Sequence, residues 1–383
     1  MKLEKKSNQA REKSWKDFSK NLPHKELPFS KRNWGGAEHS LCSFQGKMKP
    51  SLAHHLVRTL SSPGDIVVDP FSGSGTIPLE ACKQGRKGIG LDISRLGYVL
   101  TMGKVAKSNT EKLELLLLGL ERAFLEETVT DQEIERARKI SFNSSITEYF
   151  HPHTLRQILI ARRFFQERWG SGAEWALAFS CCAHILHGNR PYSLSRNSHP
   201  ITPYSPRGEF EPRDLIPRLR AKLGKFCQAR DRAMVEGESR LQDCTKDWGF
   251  TREANVVITS PPFFDSTRFY MTNWMRFWFL GWEREDFDSS TTDFVEQRQK
   301  ETLDVYLKFF NQAHKALVKN GLLLLHLGHS KKCDMGVQLR SRSKELFKAV
   351  DLFYEGVEDC ESHGISSKGA VFQHSFLLLE KRS

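Results

Sequence analysis

The chain has 383 residues, 39% of them apolar and 27% charged, with a formal charge of +12. That is enough chain for one large core or two modest ones. It holds no apolar run near the ~18–20 residues of a membrane span, and the positive balance favours polyanionic partners.

Taken in order, residues 1–43 form a polar, lysine-rich arm with Trp15 and Trp34 as its large anchors, expected to be solvated or loosely docked. It has no apolar segment of the kind a secretory signal carries. Eight scattered cysteines include no Cys-x-x-Cys pair, so neither a zinc site nor a disulfide frame is implied, and a reduced cytoplasmic setting is expected. Residues 44–60 read as a loop and then an amphipathic helix, with Pro50 in the first turn and Leu52, Leu56 and Leu60 on one face.

The run Ile66-Val67-Val68 ends in Asp69, and a small turn follows: Pro70, Phe71, Ser72, Gly73, Ser74, Gly75, Thr76. Ile77–Lys83 then reads as a helix. This is a strand, a tight loop and a helix N-terminus. Gly73 and Gly75 would let a ligand approach the backbone, and Asp69 stands at the strand end where open α/β sheets bind ligands. No Gly-Lys-Ser/Thr ends the loop, as a phosphate loop requires, and position 78 is proline rather than the third glycine of a dinucleotide fingerprint. An acid at this point suits a cationic or amine-bearing ligand. Lys87–Ile93 is a second strand ending at Asp92, about 17 residues past the turn. That is close to the ~20 at which such folds place a carboxylate on ribose hydroxyls, although a strand-end Asp can also cap the next helix.

Residues 104–180 are helical by pattern and read as packing. From 184 to 232 the chain turns rich in Pro, Ser, Asn, Arg and Tyr, and its prolines forbid a regular helix across most of it. Between 151 and 232, twelve arginines and two lysines stand against six acids, which points to a phosphate-facing surface; Arg190, Arg196 and Arg207 are the candidates. The alternative is a solvated face around a structural loop. Ser239–Asp243 reads as a short strand, and Val256–Thr259 as another that opens into Ser260, Pro261, Pro262 and Phe263. Beyond it lie an aromatic helix over Thr267–Leu280, with Tyr270 near a pocket mouth, and an amphipathic helix over Leu303–Val318. A buried strand over Gly321–Gly328 and a closing hairpin of Leu352–Val357 with Val371–Glu380 complete the chain.

The pair Asp69–Thr76 and Ser260–Phe263 resembles the S-adenosylmethionine-dependent DNA amino-methyltransferases, most closely their N4-cytosine-specific members. The resemblance covers 44–103 and 239–380. It implies a Rossmann-like α/β fold, mostly parallel with a terminal antiparallel hairpin, whose catalytic domain comprises 44–103 and 236–383. Residues 104–235 would be a helical and Arg/Pro-rich recognition insertion. It also implies that Asp69–Thr76, Asp92 and Asp243 hold the cofactor, with Lys47, Lys49 and Ser51 as candidates near its carboxylate. Ser260 and the Pro261 carbonyl would accept hydrogen bonds from an exocyclic amine, Pro262 would stiffen the turn, and Phe263 would face a base flipped out of double-stranded DNA. No metal is required, and no Pro-Cys pair supplies the thiolate that carbon-5 methylation needs. Ser at the head of the tetrad goes mostly with cytosine N4, Asp or Asn with adenine N6. N6-adenine methylation of DNA, RNA amino-methylation and a silent nucleic-acid-binding protein remain the alternatives. A partner restriction endonuclease is possible in such a family, and the oligomeric state stays open.

Overall fold

A computed structural model describes residues 2–31, 33–189, 191–264, 269–356 and 371–382. Among these, seven strands form one sheet: β1 (Ile66–Asp69), β2 (Lys87–Asp92), β3 (Glu238–Leu241), β4 (Ala254–Thr259), β5 (Leu317–Ser330), β6 (Phe347–Gly356) and β7 (Val371–Lys381). The order is β3-β2-β1-β4-β5-β7-β6. β3 through β5 run parallel, and β7 lies antiparallel between β5 and β6. The expected α/β architecture with a closing antiparallel pair is therefore present. The strand order reverses at β1/β4, and a ligand crevice opens beyond the strand ends at such a switch point.

The central parallel strands β1 and β4 are buried on both faces, which is why they read as continuous apolar runs rather than alternating ones. One face packs on Phe309, Phe310 and Leu339, the other on Leu52, Leu56 and Ile77. The helices Pro50–Leu60 and Thr76–Lys83 fall where proline and the glycine turn place them.

Four expectations need correction. The basic arm is not loose: Lys2–Asn21 is a helix, with Trp15 and Phe18 buried beside Leu52 and Phe376. The Trp15 indole N–H donates to Asp351 at 2.8 Å. Second, Leu215–Ala229 is a helix despite Pro217, which sits in the first turn where its missing N–H costs nothing. Third, the aromatic helix is two short ones, Phe269–Thr272 and Trp274–Leu280, and its expected start at Thr267 lies outside the described residues. Fourth, β5, β6 and β7 are longer than their apolar runs, because ladder pairing continues past the buried residues; Val357 lies outside the described residues.

The helices Thr110–Glu126, Pro152–Glu167 and Ala173–Ile185 do not form a separate globule. Their apolar faces share one core with Tyr270, Trp274, Phe277 and Trp278 from beyond the tetrad. No helix among the described residues is long and apolar enough to cross a membrane.

Candidate active site

β1 and β4 are parallel neighbours, with Val67 opposite Val256 and Val68 opposite Val257, so their terminal loops emerge side by side. The Thr259 hydroxyl donates to Asp69 Oδ1 at 2.6 Å, and the Phe71 amide donates to the same oxygen at 3.1 Å. Two motifs nearly 200 residues apart are thereby fixed on one carboxylate. β2 contributes Asp92, whose carboxylate accepts from the amides of Gly73 at 2.7 Å and Ser94 at 2.8 Å. Each acid keeps further acceptor positions for a ligand.

Together these loops enclose a cavity of about 240 Å³. Pro70, Phe71, Ser72, Gly73, Ser74 and Thr76 line it from the turn, Asp69 and Asp92 from the strand ends, and Asp243 from just past β3. Ser260, Pro261, Pro262 and Phe263 close the opposite wall. Burial pushes Asp69 up to about 7 against two hydrogen bonds that favour its charge, and burial likewise pushes Asp92 up to about 6. The Phe263 ring lies on Gly328 of β5: a Cβ there would come within 2.7 Å of the ring. The Gln299 amide donates to the carbonyls of Pro262 at 3.2 Å and Phe263 at 3.3 Å, while Tyr306 donates to Gln299 at 2.9 Å. The tetrad is thus held from behind, and Pro261's carbonyl is not among those Gln299 takes.

Gly75 and Lys49 lie away from this cavity. Gly75 has φ of 72°, and a Cβ would strike the Thr101 backbone at 2.8 Å. It serves the turn and the packing of the Arg95–Val105 helix. Lys49 caps the Pro50–Leu60 helix and sends its ammonium to the His24 carbonyl at 3.3 Å. Lys47 does line the cavity, and Ser51 is buried within the helix.

The nucleic-acid candidates fare unevenly. Arg190 lies outside the described residues. Arg196 donates to the carbonyls of Gly208 at 2.7 Å and Glu148 at 3.2 Å and covers the Phe210 ring, so its guanidinium is already engaged. Arg207 is exposed, with its backbone paired to Asn197. Much of the arginine excess ties the insertion together. Arg163 grips Glu127 and Glu133, Arg220 grips Glu114 and Glu121, and Arg213 and Arg276 hold carbonyls of the proline-rich loop at Ser193, Ser195 and Ile201.

Several lining residues carried no sequence signal: Phe44, Ile93, Phe269, Phe294 and Glu296. Glu296, 2% exposed, accepts from the Phe269 amide at 3.1 Å. Such partners become visible only when the chain has folded. Ser260 has a further neighbour in His326 of β5, with Nδ1 at 3.2 Å from Oγ.

The family model described as DNA methylase, of the N6/N4 methyltransferases, matches residues 1–99. By this match the chain resembles the N6/N4 DNA methyltransferases. The Type II methyltransferase M.MjaII of Methanocaldococcus jannaschii is 33% identical over 82 residues, 21% of this chain and 16% of that protein. The matched segment thus spans about a sixth of the relative's length. Among solved structures, the rRNA methyltransferase aviRa from Streptomyces viridochromogenes is 14% identical, covering 91% of this chain and 94% of that one, with a TM-score of 0.35. TrmN from Thermus thermophilus is 14% identical over 93% and 54%, with a TM-score of 0.32. At these scores the likeness carries no argument, and the fold rests on the strand order itself.

The cofactor of the N6/N4 methyltransferases is S-adenosylmethionine, and the cavity fits it. Asp69, Asp92, Asp243 and Glu296 face it, with Lys47 as the one basic lining residue among those described. An ammonium, a sulfonium and ribose hydroxyls would offset the cost of two buried acids, whereas a phosphate would add to it.

Proposed function

We propose that the protein transfers a methyl group from S-adenosylmethionine to an exocyclic amine of a nucleic-acid base, with cytosine N4 in DNA as the preferred target. The observation that carries this reading is one cavity holding Asp69 and Asp92 on one wall and the Ser260–Phe263 tetrad on the other. When bound, the cofactor supplies an activated methyl on a sulfonium that leaves as a neutral thioether.

The chain's own residues do the rest. Asp92 is the partner for ribose hydroxyls, Asp69 attracts the cationic end, and Asp243 stands for the adenine side. An exocyclic amine is a poor nucleophile because its lone pair is shared with the ring. Ser260 Oγ and the Pro261 carbonyl accept hydrogen bonds from its two N–H groups and draw the nitrogen toward a tetrahedral shape. Phe263, backed by Gly328, offers a face for a base that has left its stack. Ser260 at the head of the tetrad favours cytosine N4 over adenine N6. Exposed Arg207 would meet phosphates, and the 104–235 insertion would read the target. A paired endonuclease would follow only if the methylation marks a short sequence.

Unmethylated double-stranded DNA incubated with the protein and labelled cofactor, then digested to nucleosides for mass spectrometry, tests the reading. N4-methylcytosine is expected. N6-methyladenine alone would overturn the base, 5-methylcytosine the mechanism. Label confined to RNA offered in parallel would overturn the substrate class.

A further inference from the structure

We propose that His326 is a positioning residue for the transfer: its Nδ1 accepts a hydrogen bond from the Ser260 hydroxyl and so turns the lone pairs of that oxygen toward the substrate amine. This rests on the reading of Ser260 as an acceptor for the amine.

The placement follows from the sheet. Thr259 pairs with Leu325 across β4/β5, so the next residue on each strand, Ser260 and His326, meet at the cavity wall with Oγ and Nδ1 3.2 Å apart. Either atom could donate, and the surroundings of the imidazole decide between the two. Nε2 is buried and has no hydrogen-bond partner among the described residues, and the rings of His374, Phe376 and Phe263 stand at 4.7, 4.9 and 5.7 Å from the imidazole. Among surrounding rings a buried N–H keeps a weak attraction that a bare nitrogen lone pair lacks. The proton therefore belongs on Nε2, and Nδ1 is left as the acceptor.

Burial holds the imidazole neutral, well below its ordinary pKa, with His374 and His24 adding to the effect. Glu355 opposes it but is already gripped by His24 at 3.0 Å and Lys25 at 3.1 Å. A histidine this reluctant to charge does not remove the Ser260 proton. It fixes the hydroxyl rotor, and a hydroxyl that donates becomes a better acceptor in turn. With the rotor free, Ser260 could donate into the cavity and offer the amine nothing.

The test combines turnover on unmethylated double-stranded DNA, calorimetry with S-adenosylmethionine, and NMR of histidine labelled with 15N in the full chain. His326→Phe is expected to lower kcat about five- to tenfold with unchanged cofactor affinity. His326→Asn, which returns an acceptor near the Nδ1 position, should regain most of it. Adding His326→Phe to Ser260→Ala should cost nothing further, because His326 acts only through Ser260. Additive losses, or no rescue by Asn, would overturn the proposal. The NMR stands apart from activity: a neutral Nε2–H imidazole between pH 6 and 8, with an Nδ1 resonance that moves in Ser260→Ala, supports it, and an Nδ1–H tautomer overturns it. If the wild type methylates no nucleic acid, the proposed function fails while the NMR still decides the Ser260–His326 bond. The same measurement decides if His326→Phe does not fold.

Discussion

Asp69 gives a prediction in which stability and function pull in opposite directions. Burial raises its pKa from an ordinary 3.8 to about 7. The folded chain therefore holds the proton more tightly than the unfolded one. Stability from this group is fully present below about pH 4 and is lost as pH rises through about 7. A gap of about three pH units, at ~1.4 kcal/mol each, sets an upper bound near 4 kcal/mol. Asp69→Asn removes the charge but keeps a carbonyl oxygen for the Thr259 hydroxyl and the Phe71 amide. Without cofactor, the variant should match wild type near pH 4 and exceed it by about 2–4 kcal/mol at pH 8. Asp92 is raised in the same direction, and its charge adds to the Asp69 shift, so the gain on removing Asp69 includes relief of that repulsion. Urea unfolding of both proteins at pH 4, 6 and 8 measures it. Calorimetry at pH 8 should show the other side, S-adenosylmethionine affinity weakened about ten- to a hundredfold. A variant less stable than wild type at pH 8 by as much as at pH 4 would refute the idea that a buried charge is held there for a ligand.

Four other outcomes follow from the same geometry. Ser260→Ala should cut turnover roughly 10²–10³-fold, as loss of a preorganised hydrogen-bond partner does, with cofactor affinity unchanged by calorimetry. Gly328→Ala should drive its new Cβ into the Phe263 ring, cost about 1–3 kcal/mol in urea unfolding and lower kcat. Arg207→Ala should reduce the salt slope of DNA binding by about one without changing the unfolding midpoint, whereas Arg196→Ala, which frees two carbonyls, should lower the midpoint. Trp15→Ala should lose about 3–5 kcal/mol by chemical unfolding, although the residue belongs to a segment whose composition reads as a tail.

What could be read from sequence was whatever the chain states locally. The glycine turn, the acids closing β1 and β2, and the Ser260–Phe263 tetrad are each written in a few adjacent residues, and the strand periodicity that presents them is equally short-range. What could not be read was partnership. Arg196 and Arg207 are the same residue type in the same loop, yet one is spent on carbonyls and the other faces solvent. Gly75 and Gly73 sit in one motif, but only Gly73 borders the cavity, because the Arg95–Val105 helix crosses behind Gly75 at Thr101. Lys49 is two residues from Lys47 and turns the other way. Trp15 marks its helix as buried only once β6 is known to lie beneath it. Gln299 at the end of a short helix and His326 on β5 support the tetrad, Glu296 on the same short helix holds the Phe269 amide, and no local pattern distinguishes them from ordinary core polar groups.

The core shared by the insertion helices and the helices beyond the tetrad limits how such a protein can be re-engineered or diversified. A recognition module joined by a hinge could be exchanged at its two ends. Here residues 104–235 bury their aromatic and leucine faces against Tyr270, Trp274, Phe277 and Trp278. A graft cut at those boundaries would leave two mismatched halves of a hydrophobic interior. Any change that alters the insertion helices has to be co-selected with 269–294, the stretch that begins a few residues after Phe263. The two stretches are therefore inherited as one unit, and a chimera should keep its solubility only when both come from the same parent.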